Sequence, residues 1–139
     1  MHEVEVDPTK RRATLIGVYN ADGGILGELT YVLGHLIGVT SCSLCDISHS
    51  PVKMKSSFKA LERELAESHG IAVKMIHRNE RNERETKASV GREPCMLLEY
   101  PDGSISMFLD SVELKALSGN VNDFRKLIYS RLDLYGLLT

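Results

Sequence analysis

Short apolar runs alternate with stretches of helical spacing along the chain. Ala13 to Tyr19 is a run of strand-forming residues that stops at Asn20-Ala21-Asp22-Gly23-Gly24, a cluster of turn formers. From Ile25 the period changes. Ile25, Leu26, Leu29, Val32, Leu33 and Leu36 recur at helical spacing, with Glu28, Tyr31 and His35 on the other side and Gly38 placed as a left-handed cap. A second helix is predicted from Ser50-Pro51, an N-cap followed by proline, to about Ser68. Its apolar face is Met54, Phe58, Leu61 and Leu65, and His69-Gly70 is its stop. Ile71 to His77 is rich in β-formers and reads as the next strand.

Residues 78–87 mix four bases with three acids and offer no apolar anchor, which predicts a solvated face or a loop. Beyond them the pattern sharpens. Cys95 to Tyr100 is a strand, Pro101-Asp102-Gly103 a turn in which proline presets φ and glycine accepts a positive one, and Ser104 to Leu109 the antiparallel return. Asp110 with Glu113 resembles a capping box opening a short helix that Gly119 closes. A last helix from about Val121 presents Phe124, Leu127, Ile128 and Leu132. The β-α-β opening demands a parallel pair and the later hairpin an antiparallel one. The expected fold class is therefore α/β, with a mixed four-stranded sheet and helices on both faces, in one domain spanning 1–139.

Composition changes this picture little. The chain has 139 residues, 42% hydrophobic and 26% charged, so it can bury a core without a metal or disulfide. A net charge of −2 gives no basic excess for tracking phosphates, and nucleic acid is not an expected partner. The most apolar stretch, Gly24 to Val39, is shorter than the ~20 residues a bilayer span needs and carries Glu28 and His35. No membrane partner is expected either. The acidic start, Met1 to Pro8, lacks the plan of a secretory signal, and three cysteines do not make a disulfide scaffold. Both point to a cytoplasmic setting.

The chemistry concentrates in Ser41-Cys42-Ser43-Leu44-Cys45-Asp46-Ile47-Ser48-His49. Two thiols spaced C-x-x-C can close a small disulfide, and a nearby helix N-terminus favours the thiolate. On that reading Cys42 attacks, Cys45 resolves, Leu44 and Ile47 shield the pair, and the partner is a protein or small thiol, with no cofactor. Cys95 is either a further partner or a small buried residue. The alternative uses more of the neighbourhood. His35, Cys42, Cys45 and His49 form H-x6-C-x2-C-x3-H, a full tetrahedral donor set for zinc, with Asp46 as a supporting group or an alternative ligand. A third reading leaves the cysteines as buried small residues of a binding module. The loop Asn20 to Gly24, between a strand and a helix N-terminus, suits an anion, but Asp22 opposes phosphate and no dinucleotide or Walker fingerprint is present.

The element order, together with Arg92-Glu93-Pro94-Cys95-Met96-Leu97-Leu98-Glu99-Tyr100, Gly103 and the C-x-x-C, resembles the thioredoxin-like superfamily. The resemblance implies a β-α-β, β-hairpin and helix core, a cis bond before Pro94, and a redox site bordered by that proline. It makes Cys42, Cys45 and Pro94 the site residues of a thiol-disulfide oxidoreductase. In that family the dithiol follows the first strand directly, whereas here a predicted helix of about 13 residues, about 20 Å long, intervenes. Either that helix carries the thiols to the far end, or it is an insertion that folds back and returns them to the proline loop.

Overall fold

The computed structural model describes residues 1–22, 42–49 and 54–138. The predicted helix from Ile25, with His35, and the Ser50-Pro51 cap lie outside the described residues. Five strands form one mixed sheet: β1 (His2–Val4), β2 (Ala13–Val18), β3 (Ile71–Ile76), β4 (Cys95–Glu99) and β5 (Ile105–Leu109), in the order β1-β3-β2-β4-β5. β2 runs parallel to β3 and antiparallel to β4, and β4 pairs antiparallel with β5. The helices among the described residues are α1 (Ser43–Ser48), α2 (Ser56–His69), α3 (Glu83–Ser89), α4 (Ser111–Ala116) and α5 (Val121–Leu134).

Three expectations need correction. The sheet has five described strands rather than four, because His2–Val4 adds antiparallel to the free edge of β3, with Val4 opposite Val73. Three residues with one partly buried valine leave no alternating run to read. Residues 78–87 do present a solvated face, with Asn82, Glu83, Arg84 and Lys87 exposed, but not as a loop: Arg78–Glu80 forms a 3-10 turn and α3 follows, opened by a capping box between Asn82 and Glu85. What anchors α3 is polar. Glu85 is 1% exposed and accepts from Lys74 Nζ at 2.7 Å, and Ser89 is buried with its hydroxyl donating to Glu85 O. Lastly, α2 starts at Ser56, and Met54 pairs with His49 in an isolated antiparallel bridge instead of lying on the helix face.

Elsewhere the pattern maps directly onto packing. In α2, Phe58, Leu61 and Leu65 sit one and two turns apart and are buried. Gly70 ends the helix at φ +67°, and a Cβ there would lie 2.7 Å from Lys10 O, so both conformation and space require glycine. In α5, Phe124, Ile128 and Leu132 recur every fourth residue, and the Phe58 and Phe124 rings stack with centroids 5.9 Å apart. Burial of each such side chain contributes about 1.5–3 kcal/mol.

Alternation along the strands divides the interior in two. Leu15, Val73, Met75, Met96 and Leu98 face the cluster built with α1, α2, α4 and α5. Ile16, Val18, Ile76, Cys95 and Leu97 face the other way, against Ala88 of α3 and against Ile105 and Met107. Helices thus stand on both faces, as the pattern predicts.

Candidate functional site

The C-x-x-C lies on α1, and α1 is held against the end of β2. The strand's ladder continues one step past Val18, where Tyr19 N–H donates to Ile76 O at 2.9 Å. The next residue, Asn20, donates its backbone N–H to Cys42 Sγ at 3.3 Å, across 22 positions of chain. Cys42 is also the N-cap of α1, and the same sulfur accepts from Cys45 N–H at 3.2 Å. Asp46 N–H to Cys42 O, 3.0 Å, closes the first turn. That turn sets Cys42 and Cys45 with Cα atoms 5.2 Å apart, inside the span a disulfide bridges, and the two sulfurs are joined as one. The thiols are therefore at the strand end and not a helix length away.

The other expected site residue comes to the same end of the sheet. Val18 pairs with Cys95, so Pro94 stands just beyond the last registered pair of β2 and β4. Pro94 is buried, and the Glu93–Pro94 bond is cis, as the resemblance implies. Glu93 is fixed by Arg81 Nη1 at 2.7 Å, both side chains being 10% exposed, and Arg81 Nε donates to Arg78 O.

Behind the dithiol runs a buried polar chain. Ser48 Oγ lies 2.9 Å from Tyr19 Oη and 2.7 Å from His49 Nδ1, and Ser48 is fully buried. Tyr19 is flanked by two imidazoles, His49 edge-on at 5.8 Å and His77 tilted at 5.1 Å between ring centroids. His49 thus sits at the foot of α1, engaged with Ser48. His35 lies outside the described residues. Among the described residues, no group of three or more His, Cys, Asp or Glu side chains is gathered to hold a metal.

Cys95 is separated from the pair by the sheet itself. Its side chain belongs to the α3 face, is inaccessible to solvent, and is the one free cysteine. Burial, and after it the Glu93 carboxylate, pushes its thiol up to about 11. It is the buried residue of the two alternatives and not a third member of the site. Of the loop considered for an anion, Gly23 and Gly24 lie outside the described residues; in the rest, Asn20 N–H serves the sulfur, Ala21 O accepts from Arg78 N–H, and Asp22 lies 3.4 Å from Arg78 Nε.

No family model, curated protein or solved structure matches the chain. What the pair can do follows from its own chemistry. Two backbone N–H groups aimed at one sulfur stabilise negative charge there, each hydrogen bond to a charged group contributing about 1.5–3 kcal/mol. Burial opposes that, since Cys42 is 1% and Cys45 8% exposed; among the described residues both donors point at the Cys42 sulfur. Tyr19 and Ser48 were not among the expected site residues, and Asn20 was considered only as part of an anion loop, not as a partner of the thiols. Their only trace in the sequence is that Tyr19-Asn20 ends the first apolar run and Ser48 stands three positions after Cys45.

Proposed function

We propose that this chain is a thioredoxin-like thiol-disulfide oxidoreductase acting through Cys42 and Cys45. The observation that carries the reading is the closed Cys42–Cys45 pair with two backbone N–H donors on the Cys42 sulfur. The strand order β3-β2-β4-β5, with one parallel and two antiparallel pairings, supports the resemblance, as does Pro94 at the sheet end where that sulfur lies.

In the reduced chain the Cys42 thiolate attacks a partner disulfide. A bond forms between Cys42 Sγ and one partner sulfur, and the other leaves as a thiolate that takes a proton. Cys45, losing its own proton, then attacks Cys42 Sγ, closes the intramolecular disulfide and releases the second partner thiol. The chain loses two electrons and the partner gains them. The pairing of an attacking and a resolving thiol is what C-x-x-C spacing on one helical turn provides.

The test is reduction of a model disulfide by the reduced chain, followed with native mass measurement. The expected result is a two-dalton loss as the pair closes, with exchange abolished in Cys42→Ser and a trapped mixed disulfide in Cys45→Ser. Stoichiometric zinc that survives mild chelation and is lost in His35→Ala or His49→Ala would overturn the redox reading in favour of the four-donor set.

A further inference from the structure

Lys55 is bonded to α1 through both its backbone and its side chain. Its backbone N–H donates to Ser48 O at 2.8 Å, and its ammonium donates to Asp46 O at 2.7 Å. The same ammonium reaches Gly119 O at 3.0 Å. Gly119 lies in the turn between α4 and α5, where Ser118 and Gly119 both take positive φ, +50° and +74°. A Cβ on Gly119 would come 3.4 Å from Asp46 O, so the turn sits directly on α1. Lys55 is also the N-cap residue of α2. One residue therefore joins three elements: its side chain ties the foot of α1 to the α4–α5 turn, and its backbone opens α2.

α1 needs such a tie. Isolated helices shorter than ~12–15 residues are marginal in water, and α1 has six. The last four carbonyls of any helix lack partners within it. In α1, His49 N–H takes Cys45 O, and Lys55 takes two more, Asp46 O and Ser48 O. Asp46 is the relay: its N–H holds Cys42 O at 3.0 Å while its carbonyl is held by the ammonium at 2.7 Å. The turn that carries both sulfurs is thereby fixed from its far end.

We propose that Lys55 is a positioning residue for the dithiol, holding the first turn of α1 wound so that Cys45 is presented to Cys42 and the disulfide is favoured over the two thiols. The proposal rests on the redox reading above and deepens it. In the oxidised chain the turn is locked by the disulfide, so losing the ammonium removes its bonds with no relief. In the reduced chain the turn can relax when the ammonium is lost. The two redox forms therefore lose unequal stability, and the difference appears in the equilibrium constant for closing the disulfide.

The experiment equilibrates the full chain with reduced and oxidised glutathione, quenches with acid, alkylates the remaining thiols and counts them by mass. In this reaction one oxidised glutathione accepts two electrons and two protons from Cys42 and Cys45, giving two glutathione thiols and the intramolecular disulfide. Lys55→Met, which keeps the stem and removes the ammonium, is expected to lower the closing constant about fivefold, equivalent to a potential about 20 mV higher. Lys55→Arg, which keeps the cation, should recover most of the loss. Thermal melts should show the oxidised form losing more than the reduced form. Lys55→Gln repeats the comparison if the methionine variant is poorly folded. A closing constant unchanged in both neutral variants, with both redox forms destabilised equally, overturns the proposal and leaves Lys55 a purely structural tie. A wild-type chain that does not cycle at all overturns the redox reading itself, and the proposal with it.

Discussion

Cys42 and Cys95 are the same residue type on opposite faces of one sheet, and they meet opposite surroundings. Cys42 Sγ receives two backbone N–H groups, from Asn20 and Cys45, and sits at the end of β2 beside a short helix. Cys95 lies in an apolar layer with Ile16, Val18, Ile76 and Leu97, close to the Glu93 carboxylate, and its pKa rises to about 11. Both are almost fully buried, so exposure does not separate them. The orientation of local dipoles does. Donors aimed at a sulfur favour its charged form, whereas hydrocarbon and a neighbouring carboxylate suppress it.

The largest effect expected from this contrast is on alkylation of the reduced, folded chain. With a pKa near 11, Cys95 holds about one thiolate per ten thousand molecules at pH 7. Iodoacetamide should modify Cys42 at least about a hundredfold faster, as read by peptide mass mapping. Equal rates would break the comparison.

The next largest is a pH effect. The Cys95 pKa is raised from 9.0 to about 11 on folding, so between these values the unfolded chain releases a proton that the folded chain keeps. Stability from this group is complete below pH 9 and is lost as pH rises towards 11, by up to about 3 kcal/mol. Urea melts from pH 8 to 11 should show that loss, and Cys95→Ala should reduce its slope while leaving exchange at Cys42 intact. A smaller effect is expected from reducing the disulfide. Closing so short a loop removes little denatured-state entropy, so reductant should lower stability by about 2 kcal/mol, equally in wild type and Cys95→Ala. Smallest is Ser48→Ala. It takes a partner from Tyr19 Oη at 2.9 Å and from His49 Nδ1 at 2.7 Å, but leaves those two atoms 3.5 Å apart to pair with each other, so a cost of about 1 kcal/mol in thermal melts is expected.

The two faces also differ in how far they could be read in advance. β2, β3, the β4–β5 hairpin and α5 announce themselves because their buried positions are apolar and regularly spaced. α3 does not, because it buries Glu85 and Ser89 and draws its stability from Lys74 and the capping box. The Asn82-x-x-Glu85 pair was the available signal, hidden among seven charges of mixed sign. β1 escapes because three residues at a sheet edge make no pattern. At the site, the C-x-x-C and Pro94 were legible as local motifs. The contacts that give Cys42 its character were not, since Asn20 reaches it across 22 residues and Lys55 meets Gly119 across 64. Such meetings are products of the fold and leave no periodic trace.

The placement of Cys95 behind the sheet has a consequence for disulfide isomers. Three cysteines permit three different pairings, and an unfolded chain exposed to oxidant can sample all of them. Once β2 and β4 are zipped together through Val18 and Cys95, a wall of backbone stands between Cys95 and the other two, and only the Cys42–Cys45 pairing remains open. The sheet therefore acts as a chaperone of connectivity, protecting the folded chain from scrambling when it is oxidised.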